Sequence, residues 1–254
     1  MINRTELVNF LDKTLDLKSF SADASNNGLQ IEGCDSVGRV LFGVDACQEL
    51  FDTAVETESQ FIFVHHGISW GGGIKRWTGM DAKRFSTLFK NGISLYAAHL
   101  PLDAHAVHGN NAVLADMTGL LDRKPCFQYN GMYIGFSGTL PETAPLDEIA
   151  AIYAENLEVE PILRGQADRK ISRIAVVSGG GGTDAILAAK DAGCDLLVTG
   201  EMVHTMHHIA QELDIAVIAL GHYASETTGP LAMQKLIGET FGVETLFAEI
   251  PTGL

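Results

Sequence analysis

Apolar and polar positions along the chain fall into blocks whose spacing separates helices from strands. Leu7, Val8, Phe10 and Leu11 recur at helical spacing, and Asn3 stands ahead of them as an N-cap. A polar loop, Ser25-Asn26-Asn27-Gly28-Leu29-Gln30, follows. Residues 40–44 then read as a buried strand, 48–56 as a helix, and 61–64 and 94–98 as further strands. The same alternation returns later, with strands at 174–177, 196–198 and 215–220 and helices at 183–192 and 203–213. Continuous apolar runs between amphipathic helices predict parallel βαβ structure with both sheet faces covered. Residues 129–138 and 149–162 are less patterned, and a strand, a helix and another strand are expected there. Gly131, Gly135, Gly138, Pro141 and Pro145 punctuate this region. A junction near residue 125 would give α/β domains at 1–125 and 126–254, with room for segments to intertwine.

Composition narrows the class. The 254 residues suit one large or two small domains, and 46 % apolar with 19 % charged residues is ordinary globular usage, which disfavours disorder. Lys plus Arg is 17 against 32 for Asp plus Glu, a net charge of −15. So acidic a surface repels phosphate backbones, and a nucleic-acid partner is not expected. Cys34, Cys47, Cys126 and Cys194 form no C-x-x-C pair, which excludes a Cys-rich zinc ribbon and argues against a disulfide scaffold. No signal-peptide core opens the chain, and runs such as 215–220 are far too short to span a membrane. A soluble cytoplasmic protein is expected.

Chemistry concentrates where strands end. Residues 61–64 run into His65-His66, and 94–98 into His99 with Asp103 beyond. Residues 196–198 lead to Thr199-Gly200-Glu201 and His204, and 215–220 to Gly221-His222 with Glu226 four residues on. Parallel strands would bring these tips to one sheet edge, where open α/β sheets bind ligands. Imidazole with carboxylate suits Zn, Fe, Mn, Co or Ni better than Mg or Ca. His65 and His66 are adjacent, so an extended backbone would point them to opposite sides and let them serve two neighbouring ions. Asp103 and Glu226 are then candidates for bridging carboxylates, and Glu201 and His99 for moving protons or orienting ligands.

Other polar clusters have plainer readings. His204 and His208 are four apart, but no Glu follows His204, so the H-E-x-x-H motif is absent and His204, His207 and His208 default to a helix surface. His105 and His108 read as loop residues. Gly179, Gly180, Gly181 and Gly182 lie between strand and helix and fit either a flexible turn or an anion cradle. Gly71, Gly72 and Gly73, flanked by Trp70 and Trp77, fit either close substrate approach or a mobile lid.

At these positions the chain resembles the NIF-three-like family, whose bacterial members commonly carry the name GTP cyclohydrolase I type 2 homolog. The matching stretches are Asn27-Gly28-Leu29-Gln30, Val64-His65-His66-Gly67, His99-Leu100-Pro101-Leu102-Asp103, Asn110-Asn111, Thr199-Gly200-Glu201 and Gly221-His222-Tyr223-Ala224-Ser225-Glu226. The resemblance implies two similar, intertwined α/β/α three-layer domains (an internal duplication), with a metal site at the strand C-terminal ends between them. It also implies a toroidal homohexamer and two divalent cations per chain, held by His65, His66, Asp103, His222 and Glu226. Gly67 stands where many members have Pro, a departure expected to affect loop stiffness more than ligation.

The leading functional expectation is a metal-dependent hydrolase acting on a nucleotide or related small molecule, with no residue singled out as catalytic. The alternative is a non-enzymatic, ring-shaped metal-binding or assembly protein. A DNA-associated ring is weakened by the net charge.

Overall fold

The computed structural model describes residues 1–254. In chain order the elements are β1 (Ile2–Asn3), α1 (Arg4–Thr14), β2 (Gly28–Ile31), β3 (Ser36–Val37), β4 (Arg39–Asp45), α2 (Gln48–Glu56), β5 (Phe61–His66), α3 (Gly79–Lys90), β6 (Ser94–Ala97), α4 (Leu100–Ala104) and α5 (Asn110–Met117). They continue with β7 (Leu121–Tyr129), β8 (Met132–Pro145), α6 (Leu146–Leu157), β9 (Ile162–Arg164), β10 (Lys170–Val177), α7 (Gly182–Asp191), β11 (Leu196–Thr199), α8 (Met206–Glu212), β12 (Ala216–Ala219), α9 (His222–Ser225), α10 (Thr228–Phe241) and β13 (Glu244–Phe247). Two compact units result: Met1–Leu102 with Gly229–Ile250, and Asp103–Thr228 with Pro251–Leu254. The fold is mixed α/β, as the apolar spacing predicts.

The first unit is built on a five-stranded sheet of order β13-β4-β5-β6-β2, parallel except for β2. Its central strands are apolar on both faces because helices cover both. Val40, Phe42, Phe61, Phe63 and Tyr96 pack with Leu7 and Leu11 of α1 and Met233 and Ile237 of α10. The alternate positions Leu41, Ile62, Val64, Leu95 and Ala97 pack with Leu50, Phe51 and Ala54 of α2 and Phe85 and Leu88 of α3. Asn3 caps α1 as expected, its side chain accepting from Thr5 N at 2.9 Å.

The second unit carries a six-stranded sheet of order β7-β8-β10-β11-β12-β9. The β10, β11 and β12 strands are parallel; β7, β8 and β9 run antiparallel to their neighbours. The long β7–β8 hairpin turns at Asn130 and Gly131, both at positive φ (47° and 83°), the combination a two-residue turn between twisted strands requires. On α6 the positions Leu146, Ile149, Ala150 and Tyr153 are buried and pack over Ile174, Val176, Leu196, Val198, Ala216 and Ile218. The expected helix at 203–213 is shorter than its pattern: α8 begins at Met206, so His204 precedes it.

One polar lock sets the register of β10 and β11. Asp195 Oδ2 accepts from Ser172 N, Ser172 Oγ and Arg173 N, each at 2.9 Å. Burial alone would raise this carboxyl, but those backbone and hydroxyl donors outweigh it and hold it below the ordinary carboxylate range. A depressed carboxyl stabilises the fold above its unfolded pKa, and that contribution is lost as pH falls through the folded value. Asp195→Ala is therefore expected to cost about 1–3 kcal/mol at neutral pH. In urea titrations the gap from wild type should narrow below about pH 4; a gap that widens there would refute the assignment.

Candidate metal centre

In the first unit β5 lies between β4 and β6 and ends on the histidine pair. His65 is fully buried, with Nδ1 2.9 Å from the Ala98 carbonyl just past β6. His66 Nδ1 is 2.8 Å from Oδ1 of Asp45, its register partner on β4. His99, two residues beyond β6, sets Nδ1 2.9 Å from Asp23 Oδ1. Potential ligand atoms of His65, His66 and His99 lie within 4.8 Å of one another, a group that can hold a metal ion. Each Nδ1–H donates to an oxygen, which places the imidazole lone pair on Nε2. The expectation that His65 and His66 point to opposite sides is not met: their ring centroids are 4.5 Å apart. The strand ends here, and the two rings are drawn by acceptors on opposite sides of it, Asp45 at the end of β4 and Ala98 just past β6.

Asp23, which the sequence reading did not single out, organises this corner. Its side chain is fully buried and accepts from His99 Nδ1, Asn27 Nδ2 (2.8 Å), Ser25 N (3.0 Å) and Leu100 N (3.1 Å). Burial raises its carboxyl, but hydrogen bonds from His99 and Asn27 more than compensate, so it lies below its ordinary value. Asn27 Oδ1 in turn accepts from His99 N at 2.7 Å. The signal was present in the Asn27-Gly28-Leu29-Gln30 stretch, whose Gln30 Oε1 accepts from Ile68 N and Ser69 N. Gln30 also explains Gly67. A Cβ at Gly67 would stand 2.4 Å from Gln30 Oε1 and 2.6 Å from Ala97 Cβ, so packing excludes a larger residue unless both Gln30 and Ala97 shift.

The second unit gathers Asp103, His222 and Glu226. Asp103 Oδ1 accepts from Asn110 Nδ2 (2.9 Å) and Ser178 Oγ (3.0 Å), and all three residues are buried. Asn111 ties the same region together, donating to the Asp103 and Ile134 carbonyls and accepting from Ser178 N at 2.6 Å. Carboxylate oxygens of Asp103 and Glu226 lie within 4.8 Å. His222 sits between two carboxylates, with Nδ1 2.6 Å from Glu201 Oε1 and Nε2 3.2 Å from Glu226 Oε2. The hydrogen bond to Glu226, working against burial and aided by Glu201, raises its imidazole to about 9. A cation at Nε2 would take the place of that proton.

The glycine run is neither flexible nor open at its start. Gly179 has φ +60°, and a Cβ there would stand 2.1 Å from Glu226 Oε1 and 3.2 Å from His222 Nε2. Its carbonyl accepts from Gly200 N and Glu201 N, and its N–H donates to Ser225 Oγ. The run lets backbone back directly onto the carboxylate. The strand tips, expected on one sheet edge, belong to two sheets: β5 and β6 lie in one, and β10, β11 and β12 in the other. Each set of parallel strands pairs only within its own sheet. His204, His207 and His208 are exposed, and His105 and His108 lie on a loop, as expected. The four cysteines are free thiols, and no helix is long and apolar enough to cross a membrane.

The chain is similar to known proteins along its whole length. The family model described as Duf34/NIF3 (NGG1p interacting factor 3) matches residues 2–253. A Pyrococcus abyssi protein named GTP cyclohydrolase 1 type 2 homolog is 43 % identical over 254 residues, covering 100 % of both chains. An Archaeoglobus fulgidus protein of the same name is 41 % identical, again over 100 % of both. The crystal structure of TTHA1606 from Thermus thermophilus is 38 % identical, covers 100 % of both chains and superposes with a TM-score of 0.90. End-to-end likeness in sequence and in fold leads to one conclusion: the chain belongs to the DUF34/NIF3 family.

Proposed function

We propose that this chain is a metal-dependent hydrolase acting on a small molecule, with nucleotides as the class to test first. Its ligand set is His65, His66, Asp103, His222 and Glu226, for two divalent cations drawn from Zn, Fe, Mn, Co and Ni. The observation that carries the reading is the orientation of the histidines. His65, His66, His99 and His222 each engage an oxygen through Nδ1. Metal-ligating histidines are held in this way, with Nε2 turned to the ion. The mixed N/O donor set suits borderline cations rather than Mg or Ca. The name carried by the relatives, GTP cyclohydrolase 1 type 2 homolog, supports a nucleotide as the first substrate to try.

When bound, such cations supply Lewis acidity, lowering the pKa of water toward neutrality and polarising the bond under attack. The chain supplies the rest. Ala98 O, Asp45 and Glu201 fix the rings, while Asn110 and Ser178 orient the Asp103 carboxylate. His99, backed by Asp23, and Glu201 hold and pass protons beside the ligands. The reading extends to an internal duplication, supported by parallel central strands and an antiparallel edge in each sheet. It extends also to a homohexamer.

Elemental analysis of protein purified without added metal should find about two ions per chain. A ratio near zero would overturn the ligand assignment. Across a nucleotide panel, His65→Ala should lower turnover by about a hundred-fold or more. Equal turnover in wild type and variant would remove the hydrolase. Tight metal without turnover would favour the non-enzymatic alternative, which the charge of −15 suits. Light-scattering mass in solution, expected at six times the 27.3 kDa chain, tests the ring.

A further inference from the structure

We infer that the Trp70 loop of the first unit is the substrate-reading element: its indole stacks on a flat conjugated ring, and Lys75 and Arg76 take the anionic group of the same molecule. The inference rests on reading the neighbouring histidines as substrate-facing. The two tryptophans, both on this loop, differ in what they touch. Trp77 stacks on Phe85 of α3 with ring centroids 4.0 Å apart, which is a packing role. Trp70 has the histidine cluster as its ring neighbours, at 5.0 Å from His99, edge on, and 6.1 Å from His66. It is nevertheless 38 % exposed, a large aromatic surface left beside the groups proposed to do chemistry.

The indole is also held rather than loose. Its Nε1 donates to the Gly67 carbonyl at 2.8 Å, directly after the histidine pair. Trp70 forms a bridge to Ser25, and Gly71 N donates to the Ala24 carbonyl at 2.7 Å. Ile68 and Ile74 on either side of the excursion pack onto the core that includes α2 and α3. A pre-positioned π-face loses little entropy on stacking, and aromatic faces bind bases and similar rings without needing hydrogen-bond readout. At Gly71, Gly72 and Gly73 an added Cβ would meet nothing within 4 Å, so the space beside the indole is open.

Charge supplies the second half of the argument. Lys75, Arg76, Lys83, Arg84 and Lys90 put five of the chain's 17 basic residues into positions 75–90, against a single carboxylate, Asp81. That segment is net +4 (5 − 1) in a chain of −15. Lys75 and Arg76 follow directly on the Ile74 anchor, and both are exposed. A cationic stretch in an otherwise repulsive field draws an anion toward this loop.

The test uses the full-length protein with GTP, guanosine and inorganic triphosphate as probes. In Trp77→Phe protein Trp70 is the sole tryptophan, and GTP and guanosine should quench its emission. Trp70→Ala should weaken binding of both, by equilibrium dialysis, on the order of ten-fold, while Trp70→Phe recovers most of it. Inorganic triphosphate should bind wild type and Trp70→Ala alike. Lys75→Ala with Arg76→Ala should weaken GTP but leave guanosine unchanged. Failure of GTP and guanosine to quench, or equal affinity for wild type and Trp70→Ala, overturns the inference. Metal content measured on the same samples keeps the two readings apart. Quenching by ring-bearing probes in protein that holds no metal would sink the hydrolase and leave the Trp70 platform standing. Normal metal content without quenching would do the reverse.

Discussion

Gly179→Ala is expected to weaken cation binding at Glu226 and His222 while leaving the chain folded. Two costs combine at this position. The left-handed backbone penalises any side chain by roughly 1–2 kcal/mol. The new methyl would also overlap Glu226, 2.1 Å from Oε1 and 3.1 Å from Cδ. The turn cannot retreat, because the Gly179 carbonyl accepts from Gly200 N and Glu201 N and its N–H is committed to Ser225. Glu226, itself buried, must therefore leave its position beside His222 and Asp103. Metal affinity should fall by about ten-fold or more, read by competition with a chromophoric chelator. Melting should drop by roughly 2–8 °C. Gly182→Ala is the matched control: φ is +57°, yet an added Cβ meets nothing within 4 Å. It should show the backbone cost without the metal defect. Equal metal binding by the Gly179→Ala and Gly182→Ala proteins would show that Glu226 is not held where the glycine run puts it.

Asp23→Ala should be the most destabilising single change near the first-unit histidines. The substitution leaves four donors without their acceptor in a fully buried place: His99 Nδ1, Asn27 Nδ2, Ser25 N and Leu100 N. Each buried donor left unsatisfied costs about 1–3 kcal/mol, and partial relaxation brings the expected total to about 3–5 kcal/mol. Urea unfolding measures it directly. Asp23→Asn should cost less, since one carbonyl oxygen remains, but its amide would face a donor, so it should not match wild type. A loss under about 1 kcal/mol in the alanine variant would mean that water replaces the carboxylate and that His99 is not rigidly set.

How much of this was legible in the chain differs by kind of interaction. Strands β4, β5, β6, β10, β11 and β12 announced themselves through continuous apolar runs, since a strand covered on both faces can carry few polar side chains. Helix α2 was recovered to the residue at Gln48–Glu56, because its amphipathic period is bounded by polar positions. The β7–β8 hairpin was only half seen. Most of β7 is exposed, so burial imposes no pattern on it, and only the Asn130-Gly131 turn speaks. The return of Gly229–Ile250 to the first unit has no local signal at all, because chain order says nothing about which sheet edge is open to β13.

The candidate site divides in the same way. Residue type and position at strand ends were enough to pick out His65, His66, His99, Asp103, Glu201, His222 and Glu226, since strand termini are where polar groups escape the sheet's apolar demand. Their settings were not readable. Asp23 lies far along the chain from His99, Asp45 from His66 and Ser178 from Asp103, and nothing in local composition links the members of each pair. The direction of two consecutive histidines and the need for a bare backbone at Gly179 likewise depend on atoms brought in from other elements. Short-range periodicity records what each segment must bury; it holds no information on which distant polar atoms will meet, and that only the folded chain decides.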